Sequence, residues 1–263
     1  MLVLLPPSET KREGGTDANA LDFGALRFPE LTRHRKTTVA ALGRLSKNVA
    51  ASTAALGLGP KQRFEVDRNR ELTRSPVMPV MDRFTGVLYE ALDAPALDDT
   101  ARAWLERNVV VHSALFGLVG AGDPIPAYRL SHDSRLTTAA NEPIALKKHW
   151  RDAIADVLAA EPGLIVDLRS EGYVALGPAP ERDNSVYLRV VTAGPDGTRR
   201  ALNHFNKKGK GEFVRALAEA AVDHDSVDAL LGWAAGAGIR LERSTGSTGS
   251  TGFTGREILE LLV

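Results

Sequence analysis

The segment MLVLLPPSETK, Met1 to Lys11, decides how the rest of the chain is read. Leu2 to Leu5 form an unbroken apolar run, and Pro6-Pro7 ends it because proline has no N–H for a strand ladder. A short run this apolar fits a strand buried inside a sheet. Two further runs share the character, Val109-Val110-Val111 and LIVDL from Leu164 to Leu168. Helical patterns lie between and after them. Val39, Leu42, Leu45, Val49 and Leu56 recur at three-to-four spacing, predicting a helix from about Pro29 to Ala55. Phe84 to Leu92 reads as helix, and Asp98 or Asp99 caps another that ends near Asn108. Pro143 to Ala160 carries Leu146, Trp150, Ile154, Val157 and Leu158 on one face, and helices are expected at about 211–222 and 226–235. Trp104 and Trp150 read as core.

Ser185 to Thr192 and Arg199 to Phe205 are expected to pair as a hairpin around GPDG. Ile239 to Leu241 reads as a strand and Arg256 to Val263 as a strand or short helix. Residues 8–28 and 117–128 read as loops, and 60–80 as a charged segment of undefined structure. STGSTGSTG, 244–252, is a short flexible repeat. Strands interleaved with helices give a mixed α/β or α+β fold. The expectation is one compact domain spanning 1–263, with a mixed central sheet and flanking helices.

The 263 residues suffice for a sizeable core. Basic and acidic side chains number 33 each, so no overall positive field draws the molecule to nucleic acid or an anionic membrane. Any such site must be a local patch. The chain has no cysteine, which excludes disulfides, thiolate metal sites and thiol redox chemistry. MLVLLPP is too short for a signal peptide and no apolar run is long enough to span a bilayer, so a cytoplasmic location and no membrane partner are expected.

Three stretches raise functional questions. NHFNKKGKGEFVRAL, Asn203 to Leu217, sets Lys207, Lys208 and Lys210 around Gly209 and Gly211 ahead of an apolar pattern. It reads either as an anion grip at a strand-to-helix turn or as a solvated basic turn. It lacks the Gly-Lys-Ser/Thr ending of a phosphate loop. STAALGLGPKQ, 52–62, resembles the hairpin of helix-hairpin-helix modules, in which amides near Gly57 and Gly59 meet a phosphate and Lys61 adds charge. The rival reading makes the glycines helix C-caps. In PPSETKRE, 6–13, Ser8, Glu9 and Lys11 follow a strand end, where open sheets bind ligands; an ordinary exposed loop is the rival. No histidine pair has metal-ligand spacing and no His–acid cluster does apart from the loose one at His224, no serine elbow is present, and no motif implies a cofactor.

Taken in order, the segments resemble the YaaA family of bacterial peroxide-stress proteins. LLPPSETK is similar to its opening strand and Ser/Pro…Lys loop. MDRFTGVLYEAL, 81–92, is similar to its Asp-x-Tyr-Thr-Gly box, with Phe84 for the tyrosine. HSALFGLVGAGDPIPAYRL, 112–130, KKHW, 147–150, VDLRSEGY, 166–173, and NKKGKGEFVRAL follow in the family's order, the last with Lys210 in an arginine's place. Ser131 and Gly172 stand where the family often carries acids, with Glu171 one place before Gly172. The first loop also has an extra residue before Lys11.

The resemblance implies a peroxide-stress protein with a helix-hairpin-helix-like element and a basic cleft that binds DNA. The alternative is an enzyme acting on a nucleotide or nucleobase-like small anion in the same cleft. The expected anion or nucleic-acid contacts are Ser8, Lys11, Gly57, Gly59, Lys61, Arg129, Ser170, Lys207, Lys208, Lys210 and Arg215. Catalytic candidates are Lys11, Asp82, Arg129 and Lys208, with Thr85 and Ser113 nearby in the enzyme reading.

Overall fold

The computed structural model describes residues 1–16, 20–193, 199–201, 205–244 and 256–263. In chain order the strands are β1 (Leu2–Leu5), β2 (Met78–Pro79), β3 (Val109–Ser113), β4 (Gly117–Gly120), β5 (Pro124–Ile125), β6 (Leu136–Thr137), β7 (Pro143–Ile144), β8 (Ile165–Asp167), β9 (Ser185–Ala193), β10 (Arg199–Ala201), β11 (Leu241–Arg243) and β12 (Glu257–Leu262). The helices are α1 (Thr32–Leu45), α2 (Val49–Leu56), α3 (Phe64–Arg70), α4 (Val80–Arg83), α5 (Val87–Leu92), α6 (Asp99–Asn108), α7 (Leu146–Ala160), α8 (Glu171–Val174), α9 (Phe205–Ala220) and α10 (Val227–Gly236).

The main sheet runs β11-β12-β9-β8-β1-β3-β4, with β10 pairing β9. From β12 to β3 every neighbour is parallel, and β11 and β4 add antiparallel edges. The interior strands are buried on both faces, which is why β1, β3 and β8 read as continuous apolar runs rather than alternating ones. One continuous apolar cluster links the sheet to the helices. Trp150 of α7 is fully buried, and its Nε1 donates to the Ala114 carbonyl at 2.9 Å. A Cβ at Gly117 would lie 2.7 Å from that indole, so the glycine is what lets helix and sheet close. Trp104 of α6 is also core, donating to Asp223 Oδ1 at 2.9 Å.

Several sequence expectations need correction. The helix expected over 29–55 is broken at Ser46–Asn48, where Asn48 Oδ1 accepts from the Ala51 N–H and starts α2 anew. Phe84 lies in extended backbone rather than helix, and α5 begins only at Val87. The Gly-rich 117–128 stretch holds the edge strand β4, folded against β3 as a second hairpin, and β5. Part of 60–80 is helical, as α3. Pro143–Ile144 is a strand, and the helix there starts at Leu146. Of the two readings of the C-terminal stretch the strand holds: it is β12, parallel to β9.

The largest correction concerns NHFNKKGKGEF. β10 ends at Ala201 and α9 starts at Phe205, so Lys207 to Gly211 sit inside a helix and not in a turn. Tertiary packing overrides the poor helix propensity of the glycines. A Cβ at Gly211 would collide with the Leu88 carbonyl and the Ala91 side chain of α5, and one at Gly209 would stand 3.0 Å from Val263. The glycines thus allow close element packing, not a tight turn. Asn203, His204, the GPDG turn and residues 245–252 of the Ser/Thr/Gly repeat lie outside the described residues.

Candidate functional site

β1 is the switch point of the sheet. The chain leaves β1, builds β3 on one side, and later builds β8, β9 and β12 on the other. The carboxyl ends of β1, β3 and β8 therefore open side by side, where parallel sheets hold ligands. The Lys11 loop emerges here and is clamped by the DRFTG stretch. Lys11 forms a β-bridge with Phe84, the Thr85 N–H donates to the Thr10 carbonyl at 3.2 Å, and Arg12 N–H donates to the Arg83 carbonyl at 2.8 Å. The fully buried Arg83 guanidinium donates to the carbonyls of Arg12, Pro76 and Ile125. Gly86 has φ +95°, and a Cβ there would lie 3.2 Å from Ser8 Oγ and 3.4 Å from Thr10 Oγ1. The loop can sit on α5 only because that position is glycine.

Lys11 is 8% exposed. Its Nζ donates to the carbonyls of Ser8 at 2.9 Å and Glu9 at 3.2 Å. It lies 4.3 Å from the Tyr128 ring centre and 5.1 Å from that of Phe84. The aromatic faces attract a cation, but loss of water penalises it more. Burial is the main cause that lowers the Lys11 pKa to about 7; Arg129 and Arg68 push the same way, and Glu65 and Glu9 oppose. Burial also raises the Glu65 carboxyl above its usual range, against the pull of Lys11 and Arg129. Glu65 pairs with Arg68 at 2.6 Å, and Arg68 reaches outward to Glu13.

Arg129 is placed by its backbone: its N–H donates to Asn69 Oδ1 at 2.8 Å, and Asn69 Nδ2 donates to its carbonyl at 2.9 Å. Its guanidinium pairs with Glu9 Oε2 at 2.7 Å, and the Ser131 hydroxyl donates to Glu9 Oε1 at 3.3 Å. Ser113 Oγ lies 2.6 Å from Tyr128 Oη and holds the ring under Lys11. Burial raises the phenols of Tyr89, Tyr128 and Tyr173, so they stay protonated.

A second buried group lines the end of β8. Burial works against the Asp167 carboxylate, yet Arg169 and Arg256 hold its pKa well below the usual range. Arg169 Nη1 lies 2.8 Å from His112 Nδ1, and a guanidinium can only donate. His112 is therefore neutral with its proton on Nε2, and burial followed by Arg169 depresses its pKa. Lys210, 5% exposed, donates to the Leu168 carbonyl at 2.7 Å, and burial lowers its pKa to about 8. Tyr173 stands edge-on between His112 and His132, with ring centres 5.5 and 5.2 Å away. A Cβ at Gly172 would run into the His132 ring, so the glycine there makes room for a histidine.

The remaining expected residues are dispersed. Asp82 forms a bidentate pair with Arg102 of α6, at 3.0 and 2.8 Å, and fastens α4 to α6. Arg215 binds Asp93 and Glu219 and caps the carbonyls of Leu92 and Asp93 at the end of α5. Lys207 and Lys208 are exposed on α9, Lys208 pairing with Glu212 at 3.2 Å. Ser170 is exposed at the start of α8. Gly57 is the left-handed C-cap of α2, with φ +61°. The turn amides are used internally: Gly57 and Leu58 donate to the Thr53 carbonyl, and Gly59 donates to Gln62 Oε1. Lys61 is exposed beside them.

Sequence reasoning missed Glu65, Arg68 and Asn69, which reach the site from α3. Their one visible signal is the Glu65/Arg68 pair at i,i+3. Among the described residues no group of His, Asp or Glu is arranged to hold a metal, and no helix is long and apolar enough to cross a membrane.

The family model described as peroxide stress protein YaaA matches residues 1–238. A UPF0246 protein of Corynebacterium efficiens is 43% identical over 246 residues, covering 94% of this chain and 96% of its own. A UPF0246 protein of Corynebacterium glutamicum strain R is 41% identical over 244 residues, covering 93% and 96%. A third, from Streptomyces coelicolor, is 39% identical over 220 residues, 82% of each chain. With the family model over most of its length and relatives this similar, the chain belongs to the YaaA family of peroxide stress proteins.

Proposed function

We propose that this chain serves the peroxide-stress role of its family through a small-molecule site at the carboxyl end of β1, in which Lys11 exchanges a proton with a bound anionic ligand. One observation carries the reading: a desolvated lysine at the sheet's switch point, bonded among the described residues only to backbone carbonyls and aromatic faces, with a pKa lowered to about 7. Such a group is divided between amine and ammonium near neutral pH, the condition for efficient general acid–base catalysis. As amine it takes a proton from the ligand; as ammonium it returns one. Arg129, held by Asn69, supplies fixed positive charge beside it, and Glu65 supplies a carboxyl of raised pKa as a relay partner.

The test is survival of a deletion strain complemented with Lys11→Met or Lys11→Arg and exposed to hydrogen peroxide. The reading expects both variants to fail while remaining folded. Full protection by Lys11→Met would end it.

A second reading, nucleic-acid binding, is favoured by α9 itself. The helix sends Lys210 to the end of β8 and leaves Lys207 and Lys208 exposed nearby, a basic rim suited to phosphates. The α2–α3 turn contributes less to it, because its amides are already bonded. Fluorescence polarisation with a short duplex at two salt concentrations tests it; no binding at low salt rejects it.

A further inference from the structure

We propose that Glu9 is a built-in stand-in ligand: in the free protein its carboxylate occupies, on Arg129 and Ser131, the seat that receives the carboxylate or phosphate group of a small ligand lying beside Lys11. The inference rests on the small-molecule reading above and names the ligand's class.

The site treats its two carboxylates unequally. Glu65 is buried, 5% exposed, and bound to Arg68. It is part of the floor. The Glu9 side chain is 64% exposed, yet it is the ion-pair partner of a guanidinium that is 9% exposed. A buried arginine does not shed its proton, so it requires an anion. A solvent-facing glutamate meets that need through a bond that water and salt weaken, and such pairs are worth little. The Ser131 hydroxyl donates to the other oxygen of the same carboxylate. Two donors from one strand of chain, Arg129 and Ser131, thus converge on a single two-oxygen group. That is the geometry of an oxyanion seat.

Position supports the same conclusion. The Glu9 carbonyl is one of the two acceptors that hold Lys11 Nζ. The Glu9 carboxylate and Arg129 both act electrostatically on Lys11, so a ligand anion that replaces that carboxylate enters the field of the same amine. The seat and the proton-transfer group are set by adjacent residues of one loop, so displacing Glu9 brings ligand charge and Lys11 together.

The experiment measures binding of inorganic phosphate and of acetate by calorimetry to the full chain, at low salt. In Glu9→Gln the internal competitor is gone. If Glu9 fills the seat in about nine molecules of ten, affinity rises about ten-fold, the inverse of the open fraction. Glu13→Gln removes the same charge from the same neighbourhood without touching Arg129, and is expected to change affinity less than two-fold. Arg129→Lys in the Glu9→Gln background should lose the gain while keeping the fold, checked by circular dichroism. Tighter phosphate alone assigns a phosphate seat; tighter acetate alone assigns a carboxylate seat. Equal gains in Glu9→Gln and Glu13→Gln, or no binding to either, overturn the proposal. Peroxide sensitivity of the Lys11 variants is an independent readout. If that sensitivity holds while the binding arm fails, only the stand-in role is rejected.

Discussion

Replacing Lys11 with methionine should uncouple stability from pH over a defined window. The buried amine has a pKa of about 7 in the folded chain, against an ordinary 10.5. The folded value is the depressed one, so between the two the unfolded chain binds the extra proton and stability rises with pH. Below pH 7 both states hold the proton, and burying the ammonium costs about 5 kcal/mol, a gap of about 3.5 pH units at about 1.4 kcal/mol each. Above 10.5 the cost vanishes. From pH 6 to pH 9 the wild-type chain should therefore gain roughly 2.5 kcal/mol relative to Lys11→Met. Lys210, lowered to about 8, titrates in both proteins and cancels in the difference. Urea unfolding followed by circular dichroism at pH 6, 7, 8 and 9 reads the two curves directly. Parallel curves, differing by a constant within about 0.5 kcal/mol, would show that the lysine is not desolvated and would remove the basis for its proton-transfer role.

Three other outcomes are expected. Gly211→Ala should destabilise by about 2–4 kcal/mol, since its Cβ meets the α5 backbone, whereas Gly236→Ala, with open space around it, should stabilise slightly; thermal melts separate them. Gly86→Ala should cost about 1–3 kcal/mol for its left-handed backbone and also abolish peroxide protection by shifting the Ser8–Lys11 loop, a joint loss visible in melts and survival assays. Asp167→Asn should destabilise by about 3–5 kcal/mol at pH 7 because two buried guanidiniums lose their charge partner. Its depressed pKa means this stability is present above the ordinary carboxylate range and lost as pH falls through the folded value, so the variant and wild type should converge in acid unfolding.

What was legible in the sequence follows from where the information resides. β1, β3 and β8 are readable because strands buried on both faces must be apolar throughout. Asp98 is readable as a cap because capping is local, and its carboxylate does accept from the Ala101 N–H at 2.8 Å. β4 was hidden because Gly117 and Gly120 are there to admit Trp150 and the Asp123–Arg27 contact, which a local reading takes for loop chemistry. The first turns of α9 were hidden for the same reason: Gly209 and Gly211 answer to Val190 of β9, to Val263 and to α5, none of them within the helix's own segment. At the site, Lys11 stands where a strand end predicts it. Glu65, Arg68 and Asn69 arrive from a segment whose only pattern is charge, and charge does not say which side chain a fold will bury.

The position of β1 in the sheet also bears on how the protein is made. Val3 pairs with Val109 and Leu2 with Ile165, so both neighbours of the first strand are far downstream. At roughly 5–20 residues per second, a ribosome needs on the order of 8 to 30 seconds after β1 before β8 exists. Through that interval Leu2 to Leu5 stays an apolar strand with both of its edges unpaired. Contacts of this span also slow the closing search itself. The Lys11 loop hangs from that strand, and every group that clamps it, the Arg83–Thr85 backbone, Tyr128 and Arg129, is made long after the loop itself.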